Sequence, residues 1–541
     1  MPVPPWSSDL LRRAYVSSSR LGRRLKAVSW RAFPKSWRRP FEVVETFDTW
    51  AYLHDLTVAV TELLESAHIE HLVLDNPLLA RPVIVIPRSR RSDFRRLVSR
   101  DQRSATWWLA RSRTGLVGRA TPARLRPLFT SGHTGLLVSR NLVTATGLPL
   151  THSELGVLVE FWDEITEPMP TAGGGEHVPG TLLAPTPNGI LDSAGPGLWK
   201  QAQANGHRLP ETPPHLLVVR EPVDLVYTWV DGSDPAWRAR KAAAQGVETG
   251  EGISSDADID ARFENRQELK YSLRSVQMFA NWANRIWIVT DRQVPEWLQQ
   301  DERLKVVDQS EIFTDPTVLP VFNSHSIESQ LHHIPGLADR YLYLNDDMLF
   351  GAPVRPESFF HANGLSQFYT SLALIDVSPH TRDDIAVSAA AKNNRDLIER
   401  EFGRTITNKL WHTPQPQSRP VLADFEATHA DLFDEVMRSR FRHAGDHSLP
   451  SSLSQYYAFA TARAVTGKVT YGYLDLASPR AELMLELWLN RRNQQCICVN
   501  DTSDVTPAER REMDAALRSF FETYFPVASR WERSESATTT S

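Results

Sequence analysis

Asn345-Asp346-Asp347 sets two adjacent carboxylates directly behind the apolar run Tyr341-Leu342-Tyr343-Leu344. Carboxylates so placed repel one another unless a cation or another positive group occupies the site. Hard oxygen ligands suit Mg²⁺ or Mn²⁺, and Mg²⁺ is commonly held by one or two carboxylates together with substrate phosphates. A solvated strand end is the alternative. Two further apolar runs also end in polar residues, one closing on Trp229-Val230-Asp231-Gly232-Ser233-Asp234-Pro235 and one on Ile288-Val289-Thr290-Asp291. Asp-Gly and Asp-Pro pairs are common turn formers, so Asp231 and Asp234 fit turn chemistry as readily as a direct role. Phosphate chemistry also needs positive charge. Arg442, in Phe441-Arg442-His443, offers a planar fork for phosphate oxygens or, more plainly, a surface ion pair. His412, in Trp411-His412-Thr413-Pro414, follows an apolar stretch and precedes a turn, which would fix its ring for proton transfer; a structural histidine is the bland reading.

The elements that must carry these residues alternate. Residues 216–219, 225–230, 285–290 and 341–344 read as strands and 267–279 as a helix, which predicts an α/β fold with a mostly parallel, layered sheet. Ligands bind beyond the carboxyl ends of such strands, where loops from several strands converge. A chain of 541 residues exceeds what one core organises, so a smaller N-terminal α/β domain is expected beside the catalytic one. Helical spacing at 47–65 and strand runs at 72–74 and 82–86 put it at residues 41–168, with no catalytic signature. Gly173-Gly174-Gly175 and scattered prolines mark 169–214 as a linker. The catalytic domain would then occupy 215–525, with a basic segment at 1–40 and a disordered tail at 526–541.

Hydrophobic content of 41% and charged content of 23% are those of an ordinary globular protein, and no apolar run approaches the roughly 20 residues that cross a bilayer. The N-terminus lacks a secretory signal, and Cys496 and Cys498 are too close to staple a fold, so a cytoplasmic setting is expected. Neither those cysteines nor His325, His332 and His333 have the spacing of a structural zinc site. The net charge of -5 conceals a basic run at 12–39 with no acid. It reads either as a solvated tail or as an interfacial helix touching the inner face of the cell membrane, each basic residue contributing about 1 kcal/mol near anionic lipid. Nucleic acid is not an expected partner.

Together these segments resemble the four characteristic regions of the Stealth family of sugar-phosphotransferases, over residues 222 to about 504. The first region resembles residues 224–237. The second resembles Arg262-Phe263-Glu264-Asn265, residues 269–275 and 288–297, Leu319-Pro320-Val321-Phe322-Asn323-Ser324, Ile327-Glu328 and residues 343–347. The third resembles His412-Thr413-Pro414 with Phe441-Arg442, and the fourth Cys496-Ile497-Cys498-Val499-Asn500-Asp501. Val321 and Gln267 depart from the pattern, where Thr and an acid are frequent. The resemblance implies a nucleotide-sugar-transferase-like catalytic domain that moves hexose-1-phosphate from a nucleotide-sugar to a hydroxyl of an oligo- or polysaccharide, as in exopolysaccharide or capsule synthesis. It implies functional roles for Glu328, Asp347, His412 and Arg442, donor contacts at Asp224, Trp229, Asp231, Arg274 and Asn323, and Mg²⁺ or Mn²⁺ at Asp346 and Asp347. A metal-dependent glycosyltransferase and a non-catalytic carbohydrate-binding assembly protein, its 16 tryptophans stacking on sugars, are the rival readings.

Overall fold

The structure, a computed structural model, describes residues 41–79, 81–104, 107–113, 116–117, 121–122, 133–151, 155–171, 173–186, 188–210, 213–247, 263, 265–381, 384–501 and 506–533. The basic run at 12–39, Arg262, Glu264 and the end of the expected tail lie outside the described residues. The chain divides into two compact units between Val218 and Val219.

In the first unit, α1 (Thr49–Ser66) begins where the Asp48 carboxylate accepts the Trp50 and Ala51 N–H groups, a side-chain cap for otherwise orphaned donors. It buries Leu53, Leu56, Val60 and Leu63, one apolar stripe at three- and four-residue spacing. The sheet beside it contains β1 (Leu72–Leu74), β2 (Val83–Pro87), β3 (Trp107–Arg113), β4 (Gly135–Arg140) and β5 (Val157–Glu164). Of these only β2 and β5 pair in parallel. Residues 169–214 are not the linker their glycines and prolines suggest. Short strands β6 (Leu182–Leu183) and β7 (Ser193–Ala194) extend the same sheet. With α2 (Pro196–Ala204), they bury Leu182, Ala194 and Ala202 against Leu72, Val85 and Trp162. Strands two residues long carry no readable period, so composition alone misleads there.

The second unit is built on β8 (Val223–Thr228), β9 (Ile286–Thr290), β10 (Leu304–Asp308), β11 (Arg340–Asn345) and β13 (Gln415–Ser418), in the order β10-β9-β8-β11-β13. The first four run parallel and β13 is antiparallel at the edge. Such strands are buried on both faces and read as continuous apolar runs; Val226, Trp287, Val289, Tyr341 and Tyr343 share one core face. The chain leaves β8 toward β9 on one side and returns to β11 on the other, so the strand order reverses between β8 and β11. That reversal opens the crevice in which open α/β sheets bind ligands. A second sheet joins β12 (Met348–Phe350) antiparallel to β15 (Cys496–Asn500) and β15 parallel to β14 (Tyr471–Asp475). The strand expected at 216–219 is a turn with Leu216 and Leu217 exposed. Apolar composition makes no strand without an edge to pair with.

Candidate active site

Asp346 and Asp347 form the two-residue turn between β11, in the main sheet, and β12, in the second sheet. Met348 pairs with Cys498 on β15, and the Val499 N–H donates to the Asp347 main-chain oxygen at 3.2 Å. This register brings the Cys498 thiol to the Asp347 carboxylate, Sγ to Oδ2 being 3.3 Å. His412 completes the group: its Nδ1 lies 3.2 Å from Cys498 Sγ and 3.8 Å from Asp347 Oδ2. Burial, then the neighbouring Asp347 charge, pushes the Cys498 thiol well above its ordinary pKa. The sulfur therefore carries its proton and donates it to Asp347, so it accepts from His412 Nδ1–H. That leaves Nε2 as the lone-pair nitrogen of a ring that is 38% exposed.

Asp347 Oδ1 is buried and has no hydrogen-bond partner among the described residues. Around it the negative charge accumulates. α3 (Glu268–Phe279) packs on β12 through Ser272 Oγ, which donates to the Met348 main-chain oxygen at 2.5 Å, and Ser275 Oγ, which accepts the Phe350 N–H at 2.9 Å. That docking delivers Glu268, at the start of the helix, to the two aspartates. Burial chiefly pushes Glu268 up to about 7, against the pull of Arg266. Burial, then the Glu268 and Asp347 charges, holds Asp346 well above the ordinary carboxylate value. One atom each of Asp347, His412 and Cys498 lies within 4.8 Å of the others, and with the thiol and Nδ1 protonated the Asp347 carboxylate is the group open to a cation. An unsatisfied carboxylate oxygen among mutually repelling acids is the environment a divalent cation relieves, so the residues present fit a metal.

A second group forms around α4 (Ser324–Ser329). Asn323 caps this helix, its Oδ1 accepting the His325 N–H at 3.1 Å. Its Nδ2 donates to the Asp446 carboxylate at 2.8 Å and to the Phe441 main-chain oxygen at 3.3 Å. The loop bearing Arg442 is thereby pinned to the helix bearing Glu328, and Arg442 Nη2 donates to Ser324 Oγ at 3.1 Å. Glu328 is buried and accepts from the Ser451 and Tyr343 hydroxyls. Tyr343 therefore accepts from Thr228 Oγ1, 3.1 Å away at the end of β8. Burial, then the Glu328 charge, raises Tyr343 well above its ordinary value, and Asp347 adds to that effect. One tyrosine hydroxyl at the reversal between β8 and β11 thus senses both groups.

The loop after β8 is internally organised. Trp229 is buried and its N–H donates to the Val289 oxygen at 3.1 Å. Asp231 Oδ1 accepts the Ser233 N–H at 2.9 Å and hydroxyl at 2.6 Å, while Oδ2 accepts from Asn265 at 3.3 Å. Gly232 is required there because a Cβ would lie 2.3 Å from the Phe263 oxygen.

Two expected donor contacts do not join the site. Asp224 sits at the opposite, amino-terminal end of β8, fully buried. Its Oδ1 accepts from Asn284 Nδ2 at 2.8 Å and the Arg285 N–H at 3.1 Å, and its Oδ2 from Trp287 Nε1 and the Ala338 N–H, both at 2.9 Å. Arg274 is committed to the C-terminal segment, forking onto Glu532 at 2.8 and 2.7 Å and donating to the Phe525 oxygen at 3.0 Å. Asn323 acts as a brace between two loops. Conversely, motif reading passes over Glu268, Arg266 and the role of Cys498. Arg266 Nη2 donates to Asp501 at 2.7 Å, and the Arg266 N–H to Glu268 at 2.7 Å. The available signals were an acid opening an otherwise apolar helix face and a cysteine two residues before the Asn500-Asp501 strand end.

The chain matches the family descriptions Stealth protein CR1, conserved region 1, over residues 221–246; CR2 over 262–368; CR3 over 411–459; and CR4 over 488–540. It is 46% identical over 322 residues to the exopolysaccharide phosphotransferase SCO6023 of Streptomyces coelicolor, covering 59% of this chain and 54% of that one. It is 36% identical over 490 residues to SCO2592 of the same organism, described in the same words, covering 88% and 50%. To CpsY of Mycobacterium leprae, also described so, it is 40% identical over 323 residues, covering 59% and 58%. The chain thus spans about half the length of the curated relatives it matches. A solved structure of an LgtC active-site mutant aligns at 10% identity and a TM-score of 0.28, covering 55% of this chain and 96% of that one, which is too remote to argue from.

Proposed function

The chain belongs to the Stealth family, and from that premise we propose that it transfers hexose-1-phosphate from a nucleotide-sugar to a hydroxyl of a saccharide acceptor, forming a phosphodiester in exopolysaccharide or capsule synthesis. The observation that carries the reading is the relay from His412 through Cys498 to Asp347, at the crevice where the strand order reverses. The acceptor oxygen attacks the sugar-bearing phosphorus, the bond from that phosphorus to the nucleoside monophosphate breaks, and the anomeric carbon keeps its oxygen. His412 Nε2 takes the hydroxyl proton, its basic tautomer fixed by the Nδ1–H bond to Cys498. Arg442, held by Ser324 and the Asn323 brace, stabilises the charge developing on the phosphoryl oxygens. Glu328, buried and oriented by Ser451 and Tyr343, positions the acceptor. Asp347 Oδ1, with Asp346, is suited to hold Mg²⁺ or Mn²⁺, which when bound offsets the negative charge of the donor diphosphate. A nucleotide-sugar donor places the reaction in the cytoplasm. Among the described residues no helix is long and apolar enough to cross a membrane.

Phosphorus-31 NMR of the product made from a panel of nucleotide-sugars, divalent metal and oligosaccharide acceptors tests the proposal. A phosphodiester resonance coupled to two sugars, lost in Asp347→Ala and Arg442→Ala, is the expected result. A glycosidic product without phosphorus would replace this reading with that of a metal-dependent glycosyltransferase.

A further inference from the structure

Far along the sequence from the catalytic residues, the first unit brings together Glu65 at the end of α1, His71 just before β1, and His207 just after α2. Hydrogen bonds fix both imidazole tautomers. His71 Nδ1 lies 2.9 Å from the Ile69 main-chain oxygen, which can only accept, so Nδ1 carries the proton. Gln203 Nε2 donates to the His71 main-chain oxygen at 2.7 Å, which turns Gln203 Oε1 toward His207 Nδ1 at 2.8 Å and makes that nitrogen a donor too. In the neutral form of each ring, Nε2 is then the nitrogen that carries the lone pair. His71 is fully buried and its Nε2 has no hydrogen-bond partner among the described residues. The nearest approach of His207 Nε2 to Glu65 is 3.7 Å, beyond a hydrogen bond. One atom from each of the three residues lies within 4.8 Å of the others. The cluster gathers three electron-pair donors with no proton between them.

We propose that Glu65, His71 and His207 form a transition-metal site, separate from the catalytic group, whose two imidazoles and one carboxylate take Zn²⁺. Metal-bound histidines characteristically give their second ring N–H to a carbonyl or amide oxygen, which fixes the tautomer and orients the ring. Both histidines here already do so. Two imidazoles and one carboxylate are an established zinc donor set that leaves room for water. Glu65 and His207 have side chains 50% and 22% exposed, so the site opens to solvent on one side while His71 closes it on the other. His207 is held at φ +62, an uncommon conformation for a residue with a Cβ. The Val73 N–H donates to the His207 main-chain oxygen at 2.7 Å, so the ligand loop is tied to β1. The rings stack as they stand, with centroids 3.9 Å apart and planes 20° apart. A shared ion lies in the plane of each ring it binds, so loading splays the rings about their Nδ1 hydrogen bonds. The ion would staple the end of α1 to the loop after α2.

The full chain, stripped with chelator, is titrated with ZnCl₂ while bound metal is counted after equilibrium dialysis, and with Co²⁺ while its visible absorption is followed. The same is done for His207→Ala, Glu65→Gln and Gln203→Ala, with circular dichroism to check folding. The expected result is that His207→Ala holds one tightly bound ion fewer than wild type, while Gln203→Ala weakens that ion about 10- to 100-fold by losing the oxygen that orients His207. Should His207→Ala fail to fold, Glu65→Gln, at an exposed position, must show the weakened binding instead. Equal ion counts and affinities in wild type and the folded variants, including no tight ion in any of them, overturn the proposal. Ions bound at the catalytic group remain in both wild type and variants, so a wrong reading of that group leaves this comparison intact.

Discussion

Asp224→Asn separates a scaffold role from a chemical one. The substitution keeps one side-chain oxygen and turns the other into an NH₂ group. The amide turns its NH₂ toward the side where Asn284 and Arg285 are exposed, because the other orientation would strand the buried Trp287 Nε1, so Asn284 Nδ2 and the Arg285 N–H lose their acceptor. A buried unsatisfied donor costs about 1–3 kcal/mol, and water reaching these exposed residues keeps the loss near the low end, about 2 kcal/mol for the pair. Four residues of strand separate Asp224 from Thr228, a distance of about 13 Å at the usual strand rise, so the crevice should keep its geometry. Urea unfolding monitored by tryptophan fluorescence, with an unchanged m-value, measures the first quantity. Turnover per folded molecule measures the second and should stay within about threefold of wild type. A variant of wild-type stability that has lost turnover would refute the reasoning and return Asp224 to the donor site.

Asp347→Asn should weaken Mn²⁺ binding, followed by electron paramagnetic resonance, and lower kcat/KM by about 100-fold or more, because the charged oxygen that would hold the cation offsetting the donor diphosphate is lost. Cys498→Ser should retain most activity and Cys498→Ala should lose about tenfold in kcat with little change in KM, since only the hydroxyl can still pass a hydrogen bond from His412 to Asp347. A KM effect of similar size would show that the thiol contacts substrate instead. Burial pushes His71 down to about 4 from 6.5. The unfolded chain binds that proton first, so in chelator the stability His71 contributes is complete above about pH 6.5 and declines as pH falls through 4, by on the order of 3 kcal/mol. Thermal unfolding against pH should show this slope in wild type and a flatter one in His71→Gln.

The central strands were legible because parallel strands buried on both faces are continuous runs of β-branched and aromatic residues. The expectations at 225–230, 285–290 and 341–344 fall within two residues of β8, β9 and β11. The helix at 267–279 was legible from its period and begins one residue later. The first unit was harder. Its strands at 182–183 and 193–194 are two residues long, and glycine-rich connections between such strands look like linker. The placement of Cys498 rests on antiparallel pairing between residues 348 and 498, and no local pattern encodes a register across that separation.

Residues in a family motif can mark chemistry or the scaffold that holds it, and residue type does not separate the two. The oxygens of Asp224 accept four hydrogen bonds from the chain itself, and Arg274 spends three N–H groups on Glu532 and Phe525, so both are committed to the scaffold. Asp347 differs in one atom: Oδ2 is engaged by Cys498, whereas Oδ1 is buried without a hydrogen-bond partner among the described residues. A buried carboxylate oxygen left unsatisfied is costly, and it persists where something outside the chain satisfies it. The same reasoning singles out His71 Nε2 in the first unit and Asp501 Oδ1 beside Arg266, each buried and without a hydrogen-bond partner among the described residues. Asp501 follows β15 immediately and is tied through Arg266 to Glu268. The acidic group therefore runs from Asp346 and Asp347 to Glu268 on α3, and Arg266 links it to Asp501 at the end of β15, whose charge it offsets.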